Sequence, residues 1–206
     1  MNMLYRTARP RKDRTFNITV LRFLWKLQSY LIGVFYIPNL GDVVPVLDAP
    51  APLPKPFFYP LDERILNEAY EMVCIDGCGA CCEVRSGAFA FREELEELAH
   101  EYGFNIKFSR CEKMRLVTGE VVEICEVSKG TCPFYDESSR KCLVYRLRPI
   151  ICRIHYCTLV ARRKGKLYIK SGVQGGKVHY IEWRGSESEL AKIVRKAILF
   201  LAKRIQ

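Results

Sequence analysis

Cys74-Ile75-Asp76-Gly77-Cys78-Gly79-Ala80-Cys81-Cys82 is the stretch on which the reading of this 206-residue chain turns. Four cysteines in nine residues, separated by two glycines, form a tight loop that can aim several sulfurs at one centre. A second array follows at Cys132, Cys142, Cys152 and Cys157, so eight of the ten cysteines fall into two groups. Thiolates are soft anionic ligands suited to zinc, copper(I) or iron–sulfur clusters. A disulfide framework is the alternative, but such frameworks belong to small secreted domains that lack a core. Here 49% of the residues are hydrophobic, enough to build one. Adjacent cysteines such as Cys81 and Cys82 also rarely pair with each other. Neither array alone closes a convincing site, so the two are expected to converge on one metal-bearing core.

Outward from the arrays, the pattern is mixed. Residues 62–73 have helical spacing through Ile65, Leu66, Ala69 and Met72 and lead into the first array. Residues 91–102 read as an acidic amphipathic helix ended by Gly103. Residues 104–127 read as strands about a Thr118-Gly119 turn, residues 166–171 and 177–183 as a hairpin across the glycines at 172–176, and residues 187–205 as a terminal amphipathic helix. The expected fold class is α+β, a small mixed domain over residues 61–206 organised around a cysteine-ligated metal site, with an N-terminal helical extension.

That extension is read in three parts. Residues 1–14 have the profile of a basic arm, residues 15–37 of an amphipathic helix with Val20, Leu24, Leu27, Leu31 and Val34 on one face, and residues 38–60 of a connector. Seven of the ten prolines lie between Pro38 and Pro60, which predicts an extended, polyproline-like segment. Arg22, Lys26, Gln28 and Ser29 interrupt the 15–37 stretch well short of the ~20 apolar residues that a bilayer requires, so no transmembrane span is expected. No small-residue cleavage site follows it, so it does not read as a signal peptide. The helix is expected to dock on its own domain or on a protein partner, with attachment to a membrane surface as the alternative. A cytoplasmic location is expected, with membrane association through this helix as the variant.

The formal charge of +10 sits at the ends. Residues 1–60 carry 8 basic and 3 acidic side chains, residues 61–160 carry 13 and 17, and residues 161–206 carry 12 and 3. Attraction to nucleic acid or an anionic membrane surface would therefore come from the ends. The run Arg162-Arg163-Lys164-Gly165-Lys166, ahead of Tyr168, Tyr180 and Trp183, is a candidate for phosphate contact with base stacking, and a solvated basic loop is the plainer reading. Asn and Gln are scarce, five and three, a composition that leans thermophilic and makes an intracellular disulfide admissible. No phosphate loop, dinucleotide fingerprint, nucleophile elbow or zinc-helix motif is present.

Together with Cys132-Pro133-Phe134, Cys142-Leu143-Val144-Tyr145, Arg148-Pro149 and Cys152-Arg153, the first array resembles the YkgJ-type cysteine-cluster family, described as zinc- or iron-chelating with eight characteristic cysteines. The resemblance covers about residues 70–160. In this chain the first interval holds three residues where the family pattern has two, and Ile154-His155-Tyr156-Cys157 replaces the Phe-Pro that often follows the Cys-Arg pair, making His155 a further candidate ligand. The resemblance implies an iron–sulfur or zinc site, with the 4Fe–4S form favoured, ligated from Cys74, Cys78, Cys81, Cys82, Cys132, Cys142, Cys152 and Cys157. A four-thiolate cluster is anionic and favours nearby cations, a role open to Arg148 and Arg153. Two classes of function stay open. One is a redox or cluster-dependent component, such as an iron–sulfur oxidoreductase subunit with an electron partner. The other is a binding module with a structural zinc or cluster.

The last two cysteines are read separately. If Val117-Thr118-Gly119 is a three-residue hairpin loop, Lys113 faces Glu123 and Cys111 faces Cys125, within reach of a disulfide. Two unrelated buried thiols, or two extra metal ligands, are the alternatives.

Overall fold

The computed structural model describes residues 2–50, 52–84, 89–105, 110–126 and 132–204. In chain order the elements are β1 (Asn2–Thr7), α1 (Arg14–Lys26), β2 (Leu31–Ile37), β3 (Asp42–Pro50), β4 (Phe58–Pro60), α2 (Glu63–Asn67), β5 (Tyr70–Met72), α3 (Ala80–Val84), β6 (Phe89–Phe91), α4 (Arg92–Tyr102), β7 (Arg110–Arg115), β8 (Val121–Glu126), β9 (Tyr135–Asp136), β10 (Lys141–Cys142), α5 (Ile150–Arg153), β11 (Val160–Arg163), β12 (Lys166–Gln174), β13 (Lys177–Glu182) and α6 (Glu187–Ala202). The class is α+β, as expected. The chain divides into two compact units, one of residues 1–74 and 154–184, the other of residues 75–153 and 185–206.

The first unit is an eight-stranded antiparallel sheet in the order β13-β12-β11-β5-β2-β3-β1-β4. The N-terminal sixty residues are thus integral to a sheet rather than an appendage to a domain beginning near Leu61. The expected basic arm is β1, paired on one side with β3 and on the other with β4, with Tyr5 and Thr7 buried. Its arginines are engaged within the unit: Arg6 lies over the Tyr59 ring, Arg9 pairs with Asp42 at 3.0 Å, and Arg11 lies over Phe16.

The helix expected over 15–37 stops at Lys26. Asp13 caps its start, its carboxylate accepting the Phe16 N–H, and a 3-10 turn at Gln28–Tyr30 ends it. Residues 31–37 are strand because Ile32, Val34, Phe35, Tyr36 and Ile37 are β-branched or aromatic, and their alternation competes with the helical reading of the same apolar residues. Phe16 and Phe23 of α1 pack on Phe57, and Phe23 also on Phe58, so α1 docks on its own unit.

The expected polyproline connector contains β3 and β4. The run Val43-Val44-Pro45-Val46-Leu47 supplies a buried strand, with Val44, Val46, Leu47 and Ala49 essentially inaccessible. The alternating prolines from Pro52 onward fall between the strands. Likewise the helical spacing of 62–73 yields only the short α2, and β5 is the element that leads to Cys74.

The second unit has a three-stranded antiparallel sheet in the order β6-β8-β7, a two-stranded ribbon of β9 and β10, and helices α3 to α6. Leu95 and Leu98 of α4 pack with Ala90, Cys125, Phe134 and Val144, and Cys111, Cys132 and Cys142 lie against this cluster. Gly103 ends α4 in the left-handed conformation, as its position predicts. The terminal helix expected over 187–205 is observed as α6, and residue 205 lies outside the described residues, as do 106–109 and 127 of the expected strand region.

The β7–β8 hairpin has the register read from the sequence. The Leu116 N–H donates to the Glu120 carbonyl at 2.7 Å, Gly119 has φ +85°, Lys113 faces Glu123, and Cys111 faces Cys125. The two sulfurs are bonded, with α-carbons 4.1 Å apart. Closing a loop of this length restricts the unfolded chain, a contribution of about 3 kcal/mol. The double substitution Cys111→Ala/Cys125→Ala is expected to lower stability by about 2–3 kcal/mol in denaturant titration while leaving metal content unchanged. Loss of metal in that variant would show that these two cysteines serve the metal site.

Candidate metal centre

The eight array cysteines lie outside the Cys111–Cys125 disulfide, and the two units divide them. Cys78, Cys81, Cys82, Cys132, Cys142 and Cys152 belong to the second unit; Cys74 and Cys157 belong to the first.

Within the second unit, local backbone chemistry explains the positions. Asp76 accepts the Gly77 N–H, the Cys78 N–H reaches the Ile75 carbonyl, and Gly77 and Gly79 have φ of +75° and +58°. A side chain at either glycine would be strained, and at Gly79 its β-carbon would also collide with the Tyr135 ring, at only 2.6 Å. The loop then enters α3, which carries Cys81 and Cys82. In the second array, Cys142 sits in β10 opposite Tyr135, and the Cys152 N–H bonds the Pro149 carbonyl at 2.8 Å at the start of α5.

The two arrays meet within this unit at three points. The Cys132 N–H donates to the Cys82 carbonyl at 3.1 Å. Gly79 lies against Tyr135, three residues after Cys132. Lys141, beside Cys142, pairs with Asp76 at 3.3 Å, an exposed contact of small energetic weight.

Charge and burial shape the surroundings. Burial pushes the Cys142 thiol up, opposed by the Val144 N–H and then by the Arg148 guanidinium. Arg148 is therefore close enough to act electrostatically on a sulfur of the second array. Its guanidinium lies 4.0 Å over the Tyr145 ring, and its Nε is buried without a hydrogen-bond partner among the described residues. For Arg153, burial lowers the pKa, the like charge of Arg148 lowers it further, and Glu94 works in the opposite sense. Asp136, at the turn between β9 and β10, is held down at about 2 by the hydroxyls of Ser139 and Ser138.

Two important residues were not legible in the sequence. Glu94 is buried on α4, where one carboxylate oxygen accepts the Phe91 N–H at 3.0 Å and the other the Ile150 N–H at 2.6 Å. It ties α4 to the start of α5 and so to Cys152. Arg195 lies on α6, where its guanidinium donates to the Cys78 carbonyl at 2.8 Å and pairs with Glu83 of α3, with Tyr135 close enough to favour its charge. One side chain thus holds the first cysteine loop and the helix after it. A Glu in an acidic helix and an Arg in a basic one give no signal of such roles.

In the first unit, Cys157 lies near a cluster of tyrosines. Tyr180, pushed up to about 12 chiefly by burial and then by Tyr36, feels Cys157, Tyr156 and Tyr70 as well. His155 is exposed and stacks on Tyr156; His100 and His179 are exposed. Among the described residues, the group of three ligand atoms that lie within 4.8 Å of one another is Cys111, Glu123 and Cys125, outside the arrays. The sulfurs of this trio are joined as the disulfide, so they are not thiolate donors in this state.

Residues 73–181, just over half of the chain, match the family model CxxCxxCC, "Putative zinc- or iron-chelating domain". The chain belongs to this cysteine-cluster family, as the resemblance implies. Uncharacterized protein MJ0661 of Methanocaldococcus jannaschii is 34% identical over 93 residues, which cover 44% of this chain and 47% of that relative. The match thus spans about half the length of the relative. No solved structure matches the chain. Among the described residues no helix is long and apolar enough to cross a membrane.

Proposed function

We propose that the chain is a metal-binding protein that carries an iron–sulfur cluster of the 4Fe–4S type and acts as a redox or cluster-dependent component with an electron partner. The observation that carries this reading is the Cys132 to Cys82 backbone bond, which joins segments of the two arrays in one unit that holds six of the eight array cysteines. The donor set fits the group. Thiolates of Cys78, Cys81, Cys82, Cys132, Cys142 and Cys152 would supply the ligands there; Cys74 and Cys157, the other two of the family's eight, belong to the first unit. An anionic cluster is stabilised by cations and by a surround of low polarity. Arg148 supplies the former, and Phe134, Val144 and Leu147 beside Cys132 and Cys142 the latter. When bound, the cluster would supply one-electron transfer. The residues of this chain would hold it, neutralise part of its charge and limit water.

Anaerobic purification with iron, sulfide and zinc analysis tests the proposal, together with optical and paramagnetic-resonance spectra. Iron and labile sulfide in equal amounts, with a signal that appears on reduction and vanishes on reoxidation, is the expected result. Stoichiometric zinc with no redox signal would replace it with the structural-zinc reading, in which the protein is a binding module.

A further inference from the structure

The outer face of α6 carries a feature that the metal site leaves unexplained. Leu190, Ala191 and Val194 are buried on one side of the helix. On the other side Ile193 is 46% exposed and Phe200 56%. Ile193 and Phe200 are seven residues apart, two helical turns, and so share one stripe. Lys192, Lys196 and Lys203, all exposed, run along one flank of that stripe. Arg204 lies on the other flank with its guanidinium 4.7 Å over the Phe200 ring. From Lys192 to Arg204 there is no acidic residue. The acids of the helix lie in its first turn, and there Glu189 is held by Ser186.

We propose that this face of α6 is a docking surface for an anionic lipid membrane. An apolar stripe bordered on both sides by cations matches the layering of a bilayer surface, in which acyl chains lie beneath anionic headgroups. Phe200 and Ile193 enter the boundary region, and the long stems of the lysines let their ammonium groups reach the headgroups. Nucleic acid is the less suited occupant. It has no use for an aliphatic stripe, and the aromatic residues Tyr168 and Tyr180 of the basic hairpin pack on Tyr70 inside their own unit. The proposal does not depend on which metal the cysteines hold.

The test is co-sedimentation of the full, metal-loaded chain with phosphatidylcholine–phosphatidylglycerol vesicles and with phosphatidylcholine alone, at low and high salt. Binding to the mixed vesicles only, weakened by salt, is expected. Lys192→Glu/Lys196→Glu should weaken it at least 25-fold, about fivefold for each lysine lost from an anionic surface. Ile193→Ser/Phe200→Ser should weaken it more than tenfold even at low salt, through lost apolar burial. Lys164→Glu/Lys177→Glu, in the other unit, should change it less than twofold. Metal content and circular dichroism establish that each variant is folded; all the replaced side chains are exposed, and the lysine pair alone decides the matter should the serine pair fail to fold. Absence of binding at low salt overturns the proposal. So does binding that is indifferent to the α6 substitutions, or binding of single-stranded RNA that is tighter than that of vesicles and insensitive to Ile193→Ser/Phe200→Ser.

Discussion

Replacing Cys132 with serine is expected to remove most of the bound metal and to destabilise the second unit with it. Cys132 has two backbone bonds, its N–H to Cys82 and its carbonyl from Tyr135, and a serine can keep both. The substitution therefore isolates the sulfur. In cysteine-ligated sites the binding energy of the metal is folding energy, about 10–16 kcal/mol for structural zinc in small domains. Even a fraction of that exceeds the net stability of an ordinary domain. Metal content below half of the wild-type value, with a large fall in the unfolding midpoint, is the expected outcome. The disulfide double variant serves as the contrast, since it should lose stability but keep metal. A Cys132→Ser protein with undiminished metal and stability would mean that the second array does not ligate through this residue.

Glu94→Ala is expected to cost about 3–5 kcal/mol. The buried carboxylate accepts from Phe91 and Ile150, and its removal strands both N–H groups away from water. Hydrogen bonds to a charged acceptor contribute more than neutral ones, and a buried donor left without a partner carries its full desolvation penalty. The same substitution removes the negative charge that favours the protonated form of Arg153, leaving Arg148 and Arg153 to repel each other in a partly buried setting. A fall in the thermal midpoint of roughly 10 °C or more should follow. Glu94→Gln keeps one acceptor oxygen and should recover part of the loss. Because Ile150 opens α5, which carries Cys152, faster release of metal to a chelator should accompany the loss of stability. A Glu94→Ala midpoint unchanged from wild type would show that the two backbone groups find other partners.

Arg195 raises a related point about how the centre is held. The family match ends at residue 181, yet the guanidinium that joins Cys78 and Glu83 comes from α6. The first cysteine loop is ordered by a helix that is remote in sequence and carries no cysteine. A lysine at this position would not reproduce the contacts to Cys78 and Glu83, which come from two separate nitrogens of a rigid fork, whereas an ammonium offers its donors from a single nitrogen.

Local chemistry is what could be read along the chain. The two cysteine arrays identified the family, because spacing between residues is enough to mark a set of soft ligands. Gly103 ended α4, Gly119 set the β7–β8 register, and the register in turn placed Cys111 opposite Cys125, since strand pairing from a short loop is fixed by counting. The fate of the N-terminal sixty residues, by contrast, depended on long-range pairing. Leu31 to Ile37 satisfies helical and strand spacing alike, and only pairing with β3 and β5 selects the strand. The basic arm became β1 because backbone groups between two neighbouring strands gain partners that no reading of arginine content reveals. Glu94 and Arg195 were invisible for the same reason. Their partners lie 56 and 117 residues away, and a charged side chain becomes a structural tie only when folding brings orphaned backbone groups to it.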